Sequence, residues 1–301
     1  MKAYNEFFSF CDSIACRYSD SALLSNYTTF RIGGKADAMI FPDTIEELSS
    51  AIKYINENGF RYMTIGKGSN LLFGDEGYKG IIINLVDLDK IELVDETTIR
   101  CQSGASLAKL CRFAFDNSLT GLEFAFGIPG SVGGAAFMNA GAYGGEMKNV
   151  IVSCEHITPD GRFASLSGDE LDYGYRHSVY SDKNLVISSV TLKLEKGEQP
   201  DIKAQMDVLL SKRKEKQPLE FPSAGSTFKR PEGYFAGALI EQSGLKGFSV
   251  GGAQVSEKHA GFVINFNNAT CNDVLGVIEH CKKTVFEKTG VKLETEVIYV
   301  E

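Results

Sequence analysis

Two glycine-rich loops are the first places where this chain could do chemistry. Ile65–Leu72, IGKGSNLL, joins a short apolar run to glycine and small polar residues. Such a loop aims consecutive backbone N–H groups at an anion. It is not a Walker A loop, because Arg61 stands where the leading glycine belongs. Nor is it a Rossmann fingerprint, because Leu71 stands at the third glycine. Taken alone, it reads equally as a tight turn or as a phosphate cradle. Phe126–Gly145, FGIPGSVGGAAFMNAGAYGG, says more. It has no three-residue period, and a flexible linker would waste Ile128, Val132, Phe137 and Met138. Glycine suits backbone packed closely against a flat ligand. Two such loops suggest a dinucleotide whose pyrophosphate is held twice.

The elements that must position these loops are legible from periodicity. In PDTIEELSSAIKYINENG, Thr44 and Glu47 form a capping-box pattern, Ile45, Leu48, Ile52 and Ile55 recur at helical spacing, and Gly59 ends the helix. YMTIG and GIIINL read as buried strands. Strands near Ile91–Val94 and Thr98–Cys101 and a helix from about Ser106 to Asn117 precede the second loop. Strands follow at Val150–Thr158, after a PDG turn, and in NLVISSVTLKLE. KGEQPDIKAQ is the expected linker, before a charged helix DIKAQMDVLLSKRKEKQ. Helices are expected at Tyr234–Gln242 and Asn272–Lys288, and KLETEVIYVE alternates as a strand. The fold class predicted is α+β, in two or three domains.

Composition narrows the function. The net charge of −8 argues against nonspecific duplex nucleic-acid binding, and Glu215 inside the KRKEK run makes that run a solvated helix face. No apolar run approaches the ~20 residues that span a bilayer, and the first residues lack a signal peptide's apolar stretch. Seven scattered cysteines without a CxxC pair read as reduced thiols of a cytoplasmic protein. The four histidines are far apart, so no metal site is expected.

The two loops look like the FAD-binding loops of the vanillyl-alcohol-oxidase-type flavoprotein fold. The second is close to the version in the UDP-N-acetylenolpyruvoylglucosamine reductase family. Four further strings resemble that family and lie in its order: NYTTFRIGGKAD (26–37), YGYRHSVY (173–180), SAGSTFKRP (223–231) and LETEV (293–297). After YRHSVYSDKN the chain runs straight into LVISSVTLKLE, so it resembles the shorter (type II) branch, without the extra loop whose Tyr covers the substrate.

The resemblance implies a flavin-dependent reductase of peptidoglycan precursor synthesis. NADPH would reduce noncovalent FAD, which would reduce the enolpyruvyl group of UDP-N-acetylglucosamine enolpyruvate to give UDP-N-acetylmuramate. It implies an FAD-binding region at 1–196, in subdomains of about 1–85 and 86–196. A substrate-binding domain at 201–291 and a strand at 292–301 returning to the FAD-binding region would follow, in a monomer with no nucleic-acid or membrane partner. By residue type alone, Arg176 reads as a surface ion-pair group, Glu296 as a solvent-facing strand residue and Ser226 as a turn residue. The resemblance makes them catalytic. Arg176 and Glu296 would stabilise charge developing toward the substrate carboxylate, and Ser226 would protonate C2. They lie in separate stretches, so they require a site at a domain junction. FAD would be held by Ile65, Gly66, Lys67, Gly68, Ser69, Asn70 and Leu71, and by Gly130, Ser131, Gly133, Gly134, Asn139 and Gly141. Tyr143, Tyr175, Arg230 and His259 are the expected substrate contacts. The same fold also serves FAD-dependent oxidases, and a flavin-binding module without chemistry remains open.

Overall fold

The computed structural model describes residues 2–301. The chain divides into two compact units, each assembled from separated stretches. The first comprises residues up to 20, 38–67 and 80–211; the second comprises 21–37, 68–79 and 212–301.

The first unit carries two sheets and two cores. A four-stranded sheet runs in the order Arg17–Ser19, Ala36–Phe41, Tyr78–Asn84, Tyr62–Ile65. Arg17 lies antiparallel to Phe41, and Tyr62 lies parallel to Ile81. The helix Ile45–Glu57 makes the crossover and buries Leu48, Ala51, Ile52 and Ile55 in a core with Phe7, Ile40, Ile81 and Ile83. Thr44 caps it by accepting the Glu47 N–H, but the Glu47 carboxylate reaches back to the Asp43 N–H instead of Thr44's own. The second sheet has five antiparallel strands, ordered Phe163–Ser167, Ile151–Ile157, Val186–Lys193, Thr98–Gln102, Ile91–Leu93. The helix Leu107–Asp116, capped by Ser106, packs Leu110 and Ala114 into the core beneath it.

The expected linker is mostly helix. The helix Gln199–Lys216 starts within KGEQPDIKAQ, with Pro200 in its first turn, where a missing N–H costs no helical hydrogen bond. Ile202 and Met206 of this helix are buried in the core of the first unit, which is why the division falls between 211 and 212 and not near 200.

In the second unit, the strands Ser249–Val250, Ala253–Val255 and Val263–Asn265 form an antiparallel sheet. The helix Cys271–Thr289 buries Val274, Val277, Ile278 and Cys281 in a core with Phe30, Leu72, Phe228 and Ile240. Only Ile298–Val300 of the C-terminal segment is strand, lying parallel to Leu71–Phe73. Among the described residues all seven cysteines are buried free thiols, and no helix is long and apolar enough to cross a membrane.

Asp273 fastens the start of the long helix. Its carboxylate accepts the N–H groups of Thr270 (3.0 Å) and Gly252 (3.1 Å), while Thr270 caps Asp273 in return. Those backbone hydrogen bonds hold its pKa below the ordinary Asp value. The stabilisation is therefore present above the unfolded carboxylate range and is lost as pH falls through the depressed value. Asp273→Ala is expected to cost about 1 kcal/mol at neutral pH. Urea unfolding of variant and parent at descending pH should show that difference shrinking.

Candidate active site

The first glycine loop presents an open row of donors. The N–H groups of Gly66, Lys67, Gly68 and Ser69 donate to no backbone acceptor among the described residues. Gly68 has φ +59°, and a Cβ there would lie 2.2 Å from the Tyr27 carbonyl oxygen. Gly66 meets the second loop: its Cβ would lie 2.0 Å from Ser131 Oγ. Lys67 is exposed, Ile65 ends its strand buried, and Leu71 begins the strand that pairs with Ile298.

The second loop is not an anion cradle of the same kind. Ser131 caps the short helix Val132–Phe137 by accepting the Gly134 N–H. The N–H groups of Val132 and Gly133 go to the carbonyls of Ala105 and Ser103, both at 2.8 Å, so no row of donors is left for a phosphate. Gly133 was expected to meet ligand, but its missing Cβ makes room for Ser103, whose own Cβ would be 2.6 Å away. Gly134 is the exposed one, with only Ser131 Oγ at 3.2 Å from its Cβ position. Gly130 accepts the Leu107 N–H through its carbonyl, and Gly141 packs on Glu146.

Asn139 turns inward. It is fully buried, and its side chain bonds Glu146, the Gly174 carbonyl and the Lys148 N–H, so its amide serves the protein and not a cofactor. Tyr143 and Tyr175 are exposed on two neighbouring turns, and the Arg176 guanidinium carbon lies 4.9 Å from the Tyr175 ring centroid. Ser178, fully buried, donates to the Phe137 carbonyl (2.7 Å) and sews the Arg176 segment to the end of the short helix.

In the second unit, the backbone brings Ser226 and Glu296 together. Their segments run antiparallel, with Phe228 opposite Thr295. Between them lies Thr227, completely buried, a residue that sequence reasoning passed over. Its N–H donates to the Gly261 carbonyl, its hydroxyl accepts the Val263 N–H, and its carbonyl accepts the Glu296 N–H. The GSTF string carries no signal for this role, since all three partners are distant in sequence. Gly225 turns the chain at φ +77°, leaving Ser226 exposed with its hydroxyl unbonded among the described residues. Asn70, expected to hold a cofactor, gives its amide to the Glu296 carbonyl (3.1 Å) and accepts the Ile298 N–H, so it braces the Glu296 segment.

The remaining polar groups are more distinct than their sequence suggested. Lys229 pairs with Glu294 at 3.4 Å, and Arg230 stacks 4.1 Å from the Phe235 ring centroid. His259 accepts the Gly261 N–H at Nδ1, and burial pushes its pKa down, so it is a neutral imidazole with its proton on Nε2.

Comparison with known proteins gives these features a class. Residues 36–167 match the model of an FAD binding domain, which makes the chain a flavoprotein built on the α+β FAD-binding fold. Residues 217–300 match the C-terminal domain of UDP-N-acetylenolpyruvoylglucosamine reductase. The enzyme of that name from Limosilactobacillus reuteri is 51% identical over 274 residues, covering 91% of this chain and 92% of the relative. That from Clostridium perfringens is 50% identical, covering 91% and 90%. The crystal structure of the reductase from Thermus caldophilus superposes with a TM-score of 0.82 at 34% identity, over 95% of this chain and all of the other. The chain belongs to the UDP-N-acetylenolpyruvoylglucosamine reductase family.

Two predictions follow from the loop geometry. Gly134→Val should leave a folded protein that has lost FAD, because only a mobile hydroxyl neighbours the new side chain. Gly133→Val should lose folded protein as well, because Ser103 cannot move away. Circular dichroism and bound-flavin absorbance separate the two; a Gly134→Val protein retaining its flavin would refute the assignment.

The second concerns His177, whose Nδ1 faces the Asp172 carbonyl (3.1 Å) and whose Nε2 faces the Asp182 carboxylate (3.0 Å). Both partners are acceptors, which favours a proton on each nitrogen, and the Asp182 hydrogen bond, followed by the Asp172 carbonyl, raises the pKa. The staple is intact below the ordinary His range and is lost as pH rises through the raised value. Nitrogen-resolved NMR should find both ring nitrogens protonated at neutral pH, and amide exchange across 172–182 should quicken on alkalisation. His177→Gln should abolish that pH dependence.

Proposed function

We propose that this chain reduces UDP-N-acetylglucosamine enolpyruvate to UDP-N-acetylmuramate in peptidoglycan precursor synthesis, with Arg176, Glu296 and Ser226 as its acting side chains. The observation that carries the reading is the unbonded Ser226 hydroxyl, fixed one residue from the Thr227 carbonyl that anchors Glu296. FAD, when bound, accepts a hydride from NADPH and supplies it to the enolpyruvyl carbon C3. The open N–H row of Gly66–Ser69 fits its pyrophosphate, with Ser131, Gly134 and the backbone around Gly130 and Gly141 lining it. The binding is noncovalent: Cys101, the nearest cysteine after the first loop, is buried, and its thiol is pushed up to about 12. Seven buried free thiols suit a cytoplasmic enzyme.

Hydride arrival at C3 leaves negative charge at C2, delocalised into the substrate carboxylate. Arg176 offers a planar fork to that carboxylate. Glu296 contributes as a protonated donor or through a hydrogen bond, since two ionised carboxylates side by side repel. Ser226 then gives its proton to C2. A hydroxyl is a weak acid, but the basicity of the carbanion-like carbon drives the transfer. Lys229, paired with Glu294, or Arg230, stacked on Phe235, balances the alkoxide left behind. His259 offers Nε2–H to the nucleotide, and Tyr143 and Tyr175 offer exposed rings to the substrate or flavin.

The half-reactions test this. Arg176→Ala and Glu296→Ala should slow flavin reoxidation by substrate roughly 100- to 1000-fold. Flavin reduction by NADPH should change far less. Ser226→Cys should keep part of the turnover, and Ser226→Ala should lose it. A Ser226→Ala enzyme turning over within about fivefold of the parent ends the proton-donor assignment.

A further inference from the structure

Arg176 and Tyr143 share an unusual backbone. Both lie in the left-handed region, at φ +55° and +52°, where bulky side chains are uncommon. Each forms the tip of a two-residue turn. Gly174 donates to the His177 carbonyl at 3.1 Å and closes the Arg176 turn. Gly141–Ala142 pairs with Gly145–Glu146, and Tyr143 and Gly144 turn between them, both at positive φ. Such conformations persist only where the surroundings over-determine them.

One side chain ties the two turns together. Asn139, itself left-handed at φ +42°, directs one Nδ2 hydrogen to the Gly174 carbonyl (2.8 Å) and the other to the Glu146 carboxylate (2.9 Å). Its Oδ1 accepts the Lys148 N–H at 2.9 Å. Both amide donors are used, each on a different turn. The same Glu146 oxygen lies 3.0 Å from Lys148 Nζ. Lys148 first, then the Asn139 hydrogen bond and the charge of Arg176, hold the Glu146 carboxyl below its ordinary range, so it is ionised wherever the enzyme works. Arg176 lies over the ring of Tyr175, and its turn is held from below by the amide that Glu146 engages.

We infer that Asn139 and Glu146 are positioning residues for Arg176: the Asn139 amide fixes the base of its turn, and the Glu146 carboxylate, itself held by Lys148, keeps that amide aimed before the substrate carboxylate arrives. The inference rests on the reading of Arg176 as the group that receives that carboxylate. Neither residue touches substrate in this account. Glu146 keeps the Asn139 amide in place, and Asn139 keeps the turn from relaxing out of its left-handed conformation. Misplacement of a reacting group by about 1 Å costs on the order of 100-fold.

The test uses the FAD-loaded enzyme under anaerobic conditions, with NADPH reduction and reoxidation by UDP-N-acetylglucosamine enolpyruvate followed separately. Glu146→Gln keeps the size and a hydrogen-bond acceptor but removes the charge. It should reduce at the parent's rate within about twofold and reoxidise about 10- to 100-fold more slowly. Glu146→Asp, which restores the charge, should recover part of that loss. Asn139→Asp replaces both donors with acceptors and should slow the same half-reaction; if it fails to fold, the two Glu146 variants decide. Reoxidation of Glu146→Gln at the parent's rate, or an equal loss in both half-reactions, overturns the inference. Arg176→Ala is measured alongside: if it reoxidises normally, the underlying reading of Arg176 has failed, whereas if it alone is slow, only the positioning role has.

Discussion

The hydroxyl of Ser131 occupies the volume that a side chain at Gly66 would need, and most of the first unit's site hangs on that contact. The same hydroxyl starts the short helix Val132–Phe137. The end of that helix is where Ser178 anchors the arginine segment, and Asn139 follows one residue beyond its C-cap. A six-residue helix has little stability of its own. It is held by the carbonyls of Ser103 and Ala105 at one end and by the Ser178 bond at the other. Glycine in this loop therefore serves protein packing at positions 66 and 133, and leaves position 134 bare toward solvent.

The second unit uses a different device. Thr227 satisfies its N–H and hydroxyl on Gly261 and Val263 of one backbone segment and its carbonyl on Glu296 of another, so the residue before it is presented on a fixed platform. Rigid support around a free hydroxyl is what proton delivery to a single carbon requires, since orientation supplies much of the rate. Asn70 extends the platform by bonding the carbonyl of Glu296.

Sequence reading recovered the helices with strong periodicity, strands such as Tyr62–Ile65 and Val186–Lys193, and the α+β class, because local pattern and capping chemistry determine them. The Thr44 and Ser106 caps are examples. It recovered the family because the motifs are contiguous strings. It did not foresee the protein partners of Asn139, Asn70 and Gly133 for one shared reason: an amide or a glycine in a glycine-rich loop reads the same whether its partner is a cofactor or a distant backbone group. Asn139 and Gly174 are 35 residues apart, and Asn70 and Glu296 are 226 apart. The linker failed for the opposite reason. Pro and Gly mark an interruption, but Ile202 and Met206 return the following helix to the first core.

The threading of the chain has a consequence for how the protein is made. The second unit needs residues 21–37 and 68–79 as well as 212–301, and among the described residues Leu71–Phe73 has no strand partner other than Ile298–Val300. Synthesis is vectorial, so these early segments leave the ribosome long before the residues that cover them. Leu72 and Phe73, both buried in the finished fold, stay uncovered throughout that interval. Loop closure over such a span is slow, and exposed apolar segments aggregate. The nascent chain thus carries an apolar strand without its partner for most of its synthesis, which two domains folding one after the other would not.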